Sequence, residues 1–412
     1  MDRAAITTEQ AALVRERFGT PCYVYDRTAL EAAARRTLAM PAPFGLTVRY
    51  AMKANPSGGV LALFRGLGLH VDASSDHEVE RALRAGFPPE HIQLTSQMPS
   101  CRLGEHLARG VLFNVCSLHQ LEMFGRLAPG REVSVRMNAG LGSGSTNRTN
   151  TGGPASSFGI WHEHLADVKA VAERYDLKIT RLHSHIGSGT DPEVYKRAAR
   201  LTLDLVAKLP EVRVVNLGGG FKVGRMPGEA SADLTDIGAH ISKELLAFRD
   251  RDGRTLRLEI EPGTYLVANA GLVVATCVDV VDTGRDGYCF AKLDTGMPEV
   301  TRPSLYGAQH PIDVLAPDRP QADVVFVGPC CESGDILTPA PGDPEALAPR
   351  RVARPEIGDL VVVGGAGAYC AAMSTINYNS YPQAPEVMLE ADGGLRLLRR
   401  RQTLEQVWGN EV

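Results

Sequence analysis

Short apolar runs rich in β-branched residues alternate along the first two-thirds of the chain with longer stretches of helical periodicity. Eight runs stand out: LTVRYA (46–51), LHVDAS (69–74), HIQLTS (91–96), VLFNVC (111–116), EVSVRM (132–137), KITRLHSHI (178–186), VRVVNL (212–217) and LRLEIE (256–261). Near-continuous apolarity is the pattern of parallel strands covered on both faces. Between them DHEVERALRAG (76–86), SLHQLEMFGRL (117–127), HEHLADVKAVAERYD (162–176) and DPEVYKRAARLTLDLVAKL (191–209) read as amphipathic helices. Eight strand–helix units predict an α/β fold of the (β/α)8 TIM-like barrel type. The rival, an open doubly wound sheet, expects GxGxxG after its first strand, whereas this chain has MKANPSGG there.

After Glu261 the texture changes to strand–turn–strand, in GLVVATCVDVVDTG, GYCFAKLDTG, ADVVFVGPCC, GDLVVVGG and APEVMLEADGGLRLLRRR. This predicts an all-β C-terminal domain, a sandwich or small barrel. The expected division is a barrel over 28–270, with 1–27 and 271–412 in the β domain. GLGSGSTNRTNTGGPASS (140–157) follows the fifth strand and so falls at the barrel's C-terminal rim, as a mobile loop or a substrate lid.

Charge narrows the ligand. With 44 Lys+Arg against 48 Asp+Glu, a formal −4, no basic field exists to hold nucleic acid or an anionic membrane, and a small or zwitterionic ligand fits better. At 44% hydrophobic and 22% charged residues, with 42 Gly and 26 Pro, disorder and collagen are excluded. The eight cysteines form no CxxC pair and have no His-rich tract beside them, so no metal is expected and free thiols in a reducing compartment are. No apolar leader region and no window near ~18 apolar residues occurs, so a soluble cytoplasmic enzyme is expected.

In a barrel, chemistry collects where strands end. Lys53 follows the first run, Asp72 lies late in the second, Arg136 and Asn138 are at the end of the fifth, His185 is in the sixth, Gly218, Gly219 and Gly220 follow the seventh, and Glu261 ends the eighth. An amine emerging from an apolar strand into the mouth, like Lys53, is desolvated and suited to covalent bonding with a carbonyl. The glycine triplet permits close approach of backbone N–H groups to phosphate, or serves as a tight turn. His185 of HIGS can lie against a flat ring, with Ser188 reaching the same phosphate. Glu261, locked before Pro262, needs a partner: the protonated nitrogen of a pyridine ring, or an ion pair with Arg136. In GPCCESGD, Glu332 and Asp335 are expected to raise the thiol pKa of Cys331, which suits a proton donor; Cys330 is its decoy.

YAMKAN, HIGSG, NLGGGF, EPG, RPSLYG, GPCCESGD and GAYC, in this order, resemble the fold-type III pyridoxal-phosphate decarboxylases, of alanine-racemase-like architecture, from about residue 20 to about residue 390. Within them the chain is most similar to the branch acting on meso-diaminopimelate. The resemblance implies pyridoxal 5'-phosphate held covalently by Lys53, with His185 on its ring and Glu261 at its ring nitrogen. Ser188, Gly218, Gly219 and Gly220 meet its phosphate; Arg136 and Tyr369 are further cofactor contacts, Tyr369 also facing substrate. Arg302, Tyr306 and Glu332 match positions gripping the substrate's distal end, and Cys331 the proton donor. That donor enters from the other subunit, which implies a homodimer with shared active sites. Two departures stand out: Thr264 replaces the arginine of the usual EPGR, and Ser156-Ser157-Phe158-Gly159 replaces SKFG. Lesser readings are a sibling decarboxylase of D-ornithine, D-lysine or a carboxylated siderophore or antibiotic precursor, and a non-catalytic cofactor-binding regulator.

Overall fold

Eight parallel strands close on themselves in a computed structural model that describes residues 4–144, 147–189 and 191–412. They are Leu46–Ala51, His70–Ala73, Ile92–Leu94, Leu112–Val115, Glu132–Asn138, Lys178–His183, Val214–Asn216 and Arg257–Ile260, one in each apolar run. Each pairs with its neighbours in chain order, and the eighth returns to the first with Leu258 opposite Leu46. A two-residue strand, Ile160–Trp161, adds to the end of the fifth.

The four expected helices are Asp76–Arg84, Leu118–Leu127, Leu165–Arg174 and Pro192–Val206. Their starts follow capping chemistry. Ser75 and Ser117 accept the N–H of Glu78 and Gln120, and Asp191 accepts that of Glu193 with Pro192 in the first turn. Gly58–Gly66, Leu103–Arg109, Leu234–Asp252 and the single turn Thr264–Val267 complete the alternation. No helix among the described residues is long and apolar enough to cross a membrane.

The barrel's interior is not wholly apolar. Arg49, on the first strand, and Glu259, on the eighth, are 1% and 2% exposed. Arg49 Nη2 donates to Glu259 Oε1 at 3.0 Å and its Nε to Oε2 at 3.2 Å, while Arg181 Nη1 reaches Oε1 at 2.6 Å. Burial would raise the Glu259 pKa, but the Arg49 and Arg181 charges hold it below the ordinary value. Strand side chains alternate with period two, so Glu259 and Glu261 share the inward direction, one layer apart.

The barrel unit comprises Ala33–Val223 and Ala230–Leu266. A second unit contains Met1–Ala32, Gly224–Glu229 and Val267–Val412. Its main feature is one nine-stranded mixed sheet that branches at the twelve-residue strand Gly271–Asp282. Residues 271–274 pair with the early strand Cys22–Asp26, 273–276 with Leu360–Val363, and 277–282 with Cys289–Leu293. A register shift between Cys277 and Asp279 marks the change of partner. Val14, Val24, Leu272, Val274, Val362 and Val387 belong to the apolar cluster at the core of this unit.

The Arg–Glu–Arg group gives a direct test. Glu259→Ala leaves two guanidinium groups without their shared counter-charge and is expected to cost about 3–5 kcal/mol, read as a lower urea midpoint. Arg181→Ala, which leaves the Arg49–Glu259 pair intact, is expected to cost clearly less.

Candidate active site

Toward the C-terminal ends of the strands the polar side chains join in one network. Ser134 Oγ donates to Asn114 Oδ1 (2.8 Å), Asn114 Nδ2 to Thr95 Oγ1 (3.3 Å), and Thr95 Oγ1 to Asp72 Oδ1 (2.6 Å). Gln93 Nε2 spans Asp72 Oδ1 at 3.1 Å and Glu261 Oε1 at 2.7 Å. Asn216 Nδ2 donates to the same Glu261 oxygen at 2.7 Å, and His183 Nε2 meets Oε2 at 3.1 Å.

Backbone bonds fix where this carboxylate stands. Glu261 N–H donates to Gly218 O (2.8 Å), and Ala51 N–H donates to Pro262 O (3.1 Å), tying the end of the eighth strand to the end of the first. The next turn, Met52–Ala54, buries Met52 and Ala54 and leaves Lys53 exposed. Lys53 therefore emerges at the mouth that Glu261 faces.

The two mouth carboxylates are driven apart in acidity. For Glu261, burial would raise the pKa, but the charge and hydrogen bond of His183, and then the hydrogen bond of Asn216, hold it well below the ordinary value. Burial and the Glu261 charge push Asp72 up to about 8, against the lowering effect of Lys53. Glu261 is thus ionised while Asp72 keeps its proton at neutral pH. Burial, then the charges of Arg136, Lys53 and His183, push His185 well below its ordinary value, leaving a neutral ring.

The ion pair of Glu261 with Arg136, one of the two expected partners, is not formed. His183 is the partner instead. Arg136 lies over Phe158, 5.0 Å from guanidinium carbon to ring centre, and its Nη2 is buried without a hydrogen-bond partner. His183, Gln93 and Asn216 were missed by sequence reasoning. Their one signal was that each interrupts an apolar run close to its end.

Gly218 has φ +64, and a Cβ there would sit 2.7 Å from His185 Nδ1; at Gly219 one would sit 2.1 Å from Glu261 O. Both glycines are required by the packing of the turn on the neighbouring strand ends. Gly219 N–H points to His185 Nδ1 at 3.3 Å, and Gly220 also has positive φ, +92. The described part of the 140–157 loop is tied to the sixth strand's continuation: Ser143 and Thr151 N–H both donate to Ile186 O (2.9 and 3.2 Å), and Ser188 N–H donates to Thr149 O (3.0 Å). Ser145 and Thr146, within that loop, lie outside the described residues.

In the other unit, Arg302 and Tyr306 are the first and last residues of a short helix. Burial lowers the Arg302 pKa, and Cys370, Tyr306 and Tyr369 act on it electrostatically, so these groups are brought together. Tyr369 has φ +56, a left-handed conformation that costs a tyrosine strain. Glu332 makes its contacts with Gly334 N–H (2.9 Å) and Tyr378 Oη (3.4 Å). The thiol expectation needs correction. Asp335 is buried and accepts Cys330 N–H at 3.0 Å, and it is Cys330 whose thiol is pushed up to about 12, by burial and then by Asp335. Cys331 is exposed, its N–H on Asn379 Oδ1 at 2.9 Å.

Residues 30–268 match the family model described as pyridoxal-dependent decarboxylase, pyridoxal binding domain. The chain belongs to this family. It is 36% identical to a diaminopimelate decarboxylase of Streptomyces coelicolor, over 99% of this chain and 93% of that one. It is 34% identical to the Escherichia coli K12 diaminopimelate decarboxylase, over 99% and 97%. A crystal structure of a diaminopimelate decarboxylase superposes with TM-score 0.91 at 32% identity, covering 100% of this chain and 98% of that one.

The mouth fits the family's cofactor, pyridoxal phosphate. Glu261 accepts three hydrogen bonds and, with about four lone-pair sites, has capacity for a protonated ring nitrogen. Neutral His185 can face a cationic ring without repulsion, and the unpartnered Arg136 Nη2 suits a phosphate oxygen.

Asp72 sets a pH test. Folding raises its pKa from about 3.9 to about 8, so within that window the native state binds more protons than the unfolded one. Its contribution to stability therefore falls as pH rises between these values. Asp72→Asn is expected to flatten the decline in thermal midpoint from about pH 5 to 8; an unchanged slope would contradict the protonated assignment.

Proposed function

We propose that the chain is a pyridoxal-phosphate-dependent decarboxylase converting meso-diaminopimelate to L-lysine and CO2 in lysine biosynthesis. The observation that carries this reading is the ionised, three-fold hydrogen-bonded Glu261 at the barrel mouth. A carboxylate there keeps a pyridine nitrogen protonated, which an arginine would not. Near-full-length likeness to diaminopimelate decarboxylases supports the substrate.

In this reading Lys53 would hold the cofactor covalently, and His185 would stack on its ring. Ser188, Gly218, Gly219, Gly220 and Arg136 bind its phosphate, and Tyr369 contacts cofactor or substrate. When bound, the group supplies the sink for the electron pair freed at the α-carbon as CO2 departs. Glu261, kept ionised, would hold a proton on the nitrogen of that ring. Arg302, Tyr306 and Glu332 grip the distal end of the substrate. The enzyme acts as a homodimer in the cytoplasm, with 28–270 binding the cofactor and 1–27 and 271–412 contributing to the dimer interface. Cys331 of the partner subunit returns a proton from Sγ to the α-carbon.

Purified protein with pyridoxal phosphate is expected to release CO2 from meso-diaminopimelate and form lysine, and Lys53→Ala to abolish both. Cys331→Ala is expected to lower kcat by about 10²–10⁴-fold, with Cys330→Ala close to the parent. Thr264 favours one second reading, a sibling decarboxylase. That reading takes over if diaminopimelate is untouched while D-ornithine or D-lysine loses CO2.

A further inference from the structure

Within the unit that carries the nine-stranded sheet, two guanidinium groups lack a carboxylate in direct contact, Glu229 acting on Arg225 only at longer range. Arg302 Nη1 donates to His310 Nε2 at 2.9 Å, and His310 Nδ1 meets Gly364 O at 2.8 Å. The carbonyl requires the proton on Nδ1, so His310 accepts from Arg302 as a neutral ring, and burial with the charges of Arg302 and Arg225 holds it so. Arg225 Nε donates to the neighbouring carbonyl, Gly365 O, at 3.2 Å, while its Nη2 is sealed from solvent with no hydrogen-bond partner. Among the described residues neither arginine forms an ion pair. Glu229, four residues on, turns its carboxylate to the backbone N–H groups of Arg225 and Met226, at 2.8 and 2.9 Å.

Burial and then the Arg302 charge push the Arg225 pKa down to about 9. A guanidinium does not give up its proton in proteins, so the strain is that of two like charges poorly solvated side by side. Such an arrangement is costly unless an anion arrives to neutralise it. The local chain is built to place it. Gly224–Glu229 is a short excursion into this unit from flanking barrel sequence, pinned by Asn269 Nδ2 donating to Gly224 O at 3.0 Å. Gly365, at φ +64, lies so close that a Cβ would be 3.1 Å from Arg225 Cδ.

We infer that Arg225 joins Arg302 in seating a carboxylate of the amino-acid substrate, the one that is not lost, and is thereby a specificity-determining residue. The inference rests on the decarboxylase reading and narrows the substrate class to amino acids with a second carboxylate. The chain that has Thr264 in place of an arginine carries one at Arg225.

L-Lysine and cadaverine differ only by that carboxylate, so their binding to the cofactor-loaded enzyme, by calorimetry, isolates the effect. The parent is expected to prefer lysine. Arg225→Gln is expected to weaken lysine by about tenfold and cadaverine by less than about twofold, with Arg225→Lys recovering part of the preference. KM for the decarboxylated substrate should rise with little change in kcat. Equal weakening of both ligands, no change in either, or a parent without preference would each overturn the assignment. If diaminopimelate is not decarboxylated but the preference depends on Arg225, the proposed reaction falls and the carboxylate seat stands.

Discussion

A single buried carboxylate, kept ionised, organises the mouth of this barrel. Removing Glu261 from water raises the free energy of its charge, and only donors on other strands can offset that. Two amides and an imidazole do so, from the third, seventh and sixth strands. Burial, and then the charge of Glu261, keeps the proton on the second acid, Asp72, which Gln93 links to the first. A network of this kind is worth most when every member is satisfied, so the identity of each strand-end residue depends on the others.

The same strands carry a second ionic layer, in which Glu259 serves Arg49 and Arg181. Period-two alternation puts the two glutamates in adjacent layers of the interior, one compensated by permanent cations and the other by neutral or titrating donors. That difference separates a structural role from a chemical one. Each glutamate accepts three hydrogen bonds, but two arginines neutralise Glu259, whereas two of the three donors to Glu261 are uncharged amides and its charge is left for a cation at the mouth.

The second unit manages charge differently. One of its buried acids, Asp335, faces the backbone and thiol of Cys330, and among its arginines Arg225 and Arg302 donate to neutral acceptors. Tyr369 is held in a left-handed conformation close to those arginines in the electrostatic sense. Strain and uncompensated charge in one neighbourhood are features that a scaffold tolerates where a ligand completes the arrangement.

The barrel was legible because strands buried on both faces must be apolar throughout, which makes all eight runs visible without any knowledge of their partners. The helices with strong caps were also legible, while Gly58–Gly66, flanked by glycines, and Leu103–Arg109, seven residues long, offered weaker signals. Lys53 and Glu261 could be placed at the mouth because strand ends are fixed by the runs themselves. What sequence could not settle was which side chains meet. His183 rather than Arg136 pairs with Glu261, Asp335 addresses Cys330 rather than Cys331, and Arg225 lies beside Arg302 across a long sequence separation. Each of these is a contact between elements distant in the chain, decided by barrel closure, strand register and turn packing, and local pattern carries no information about them.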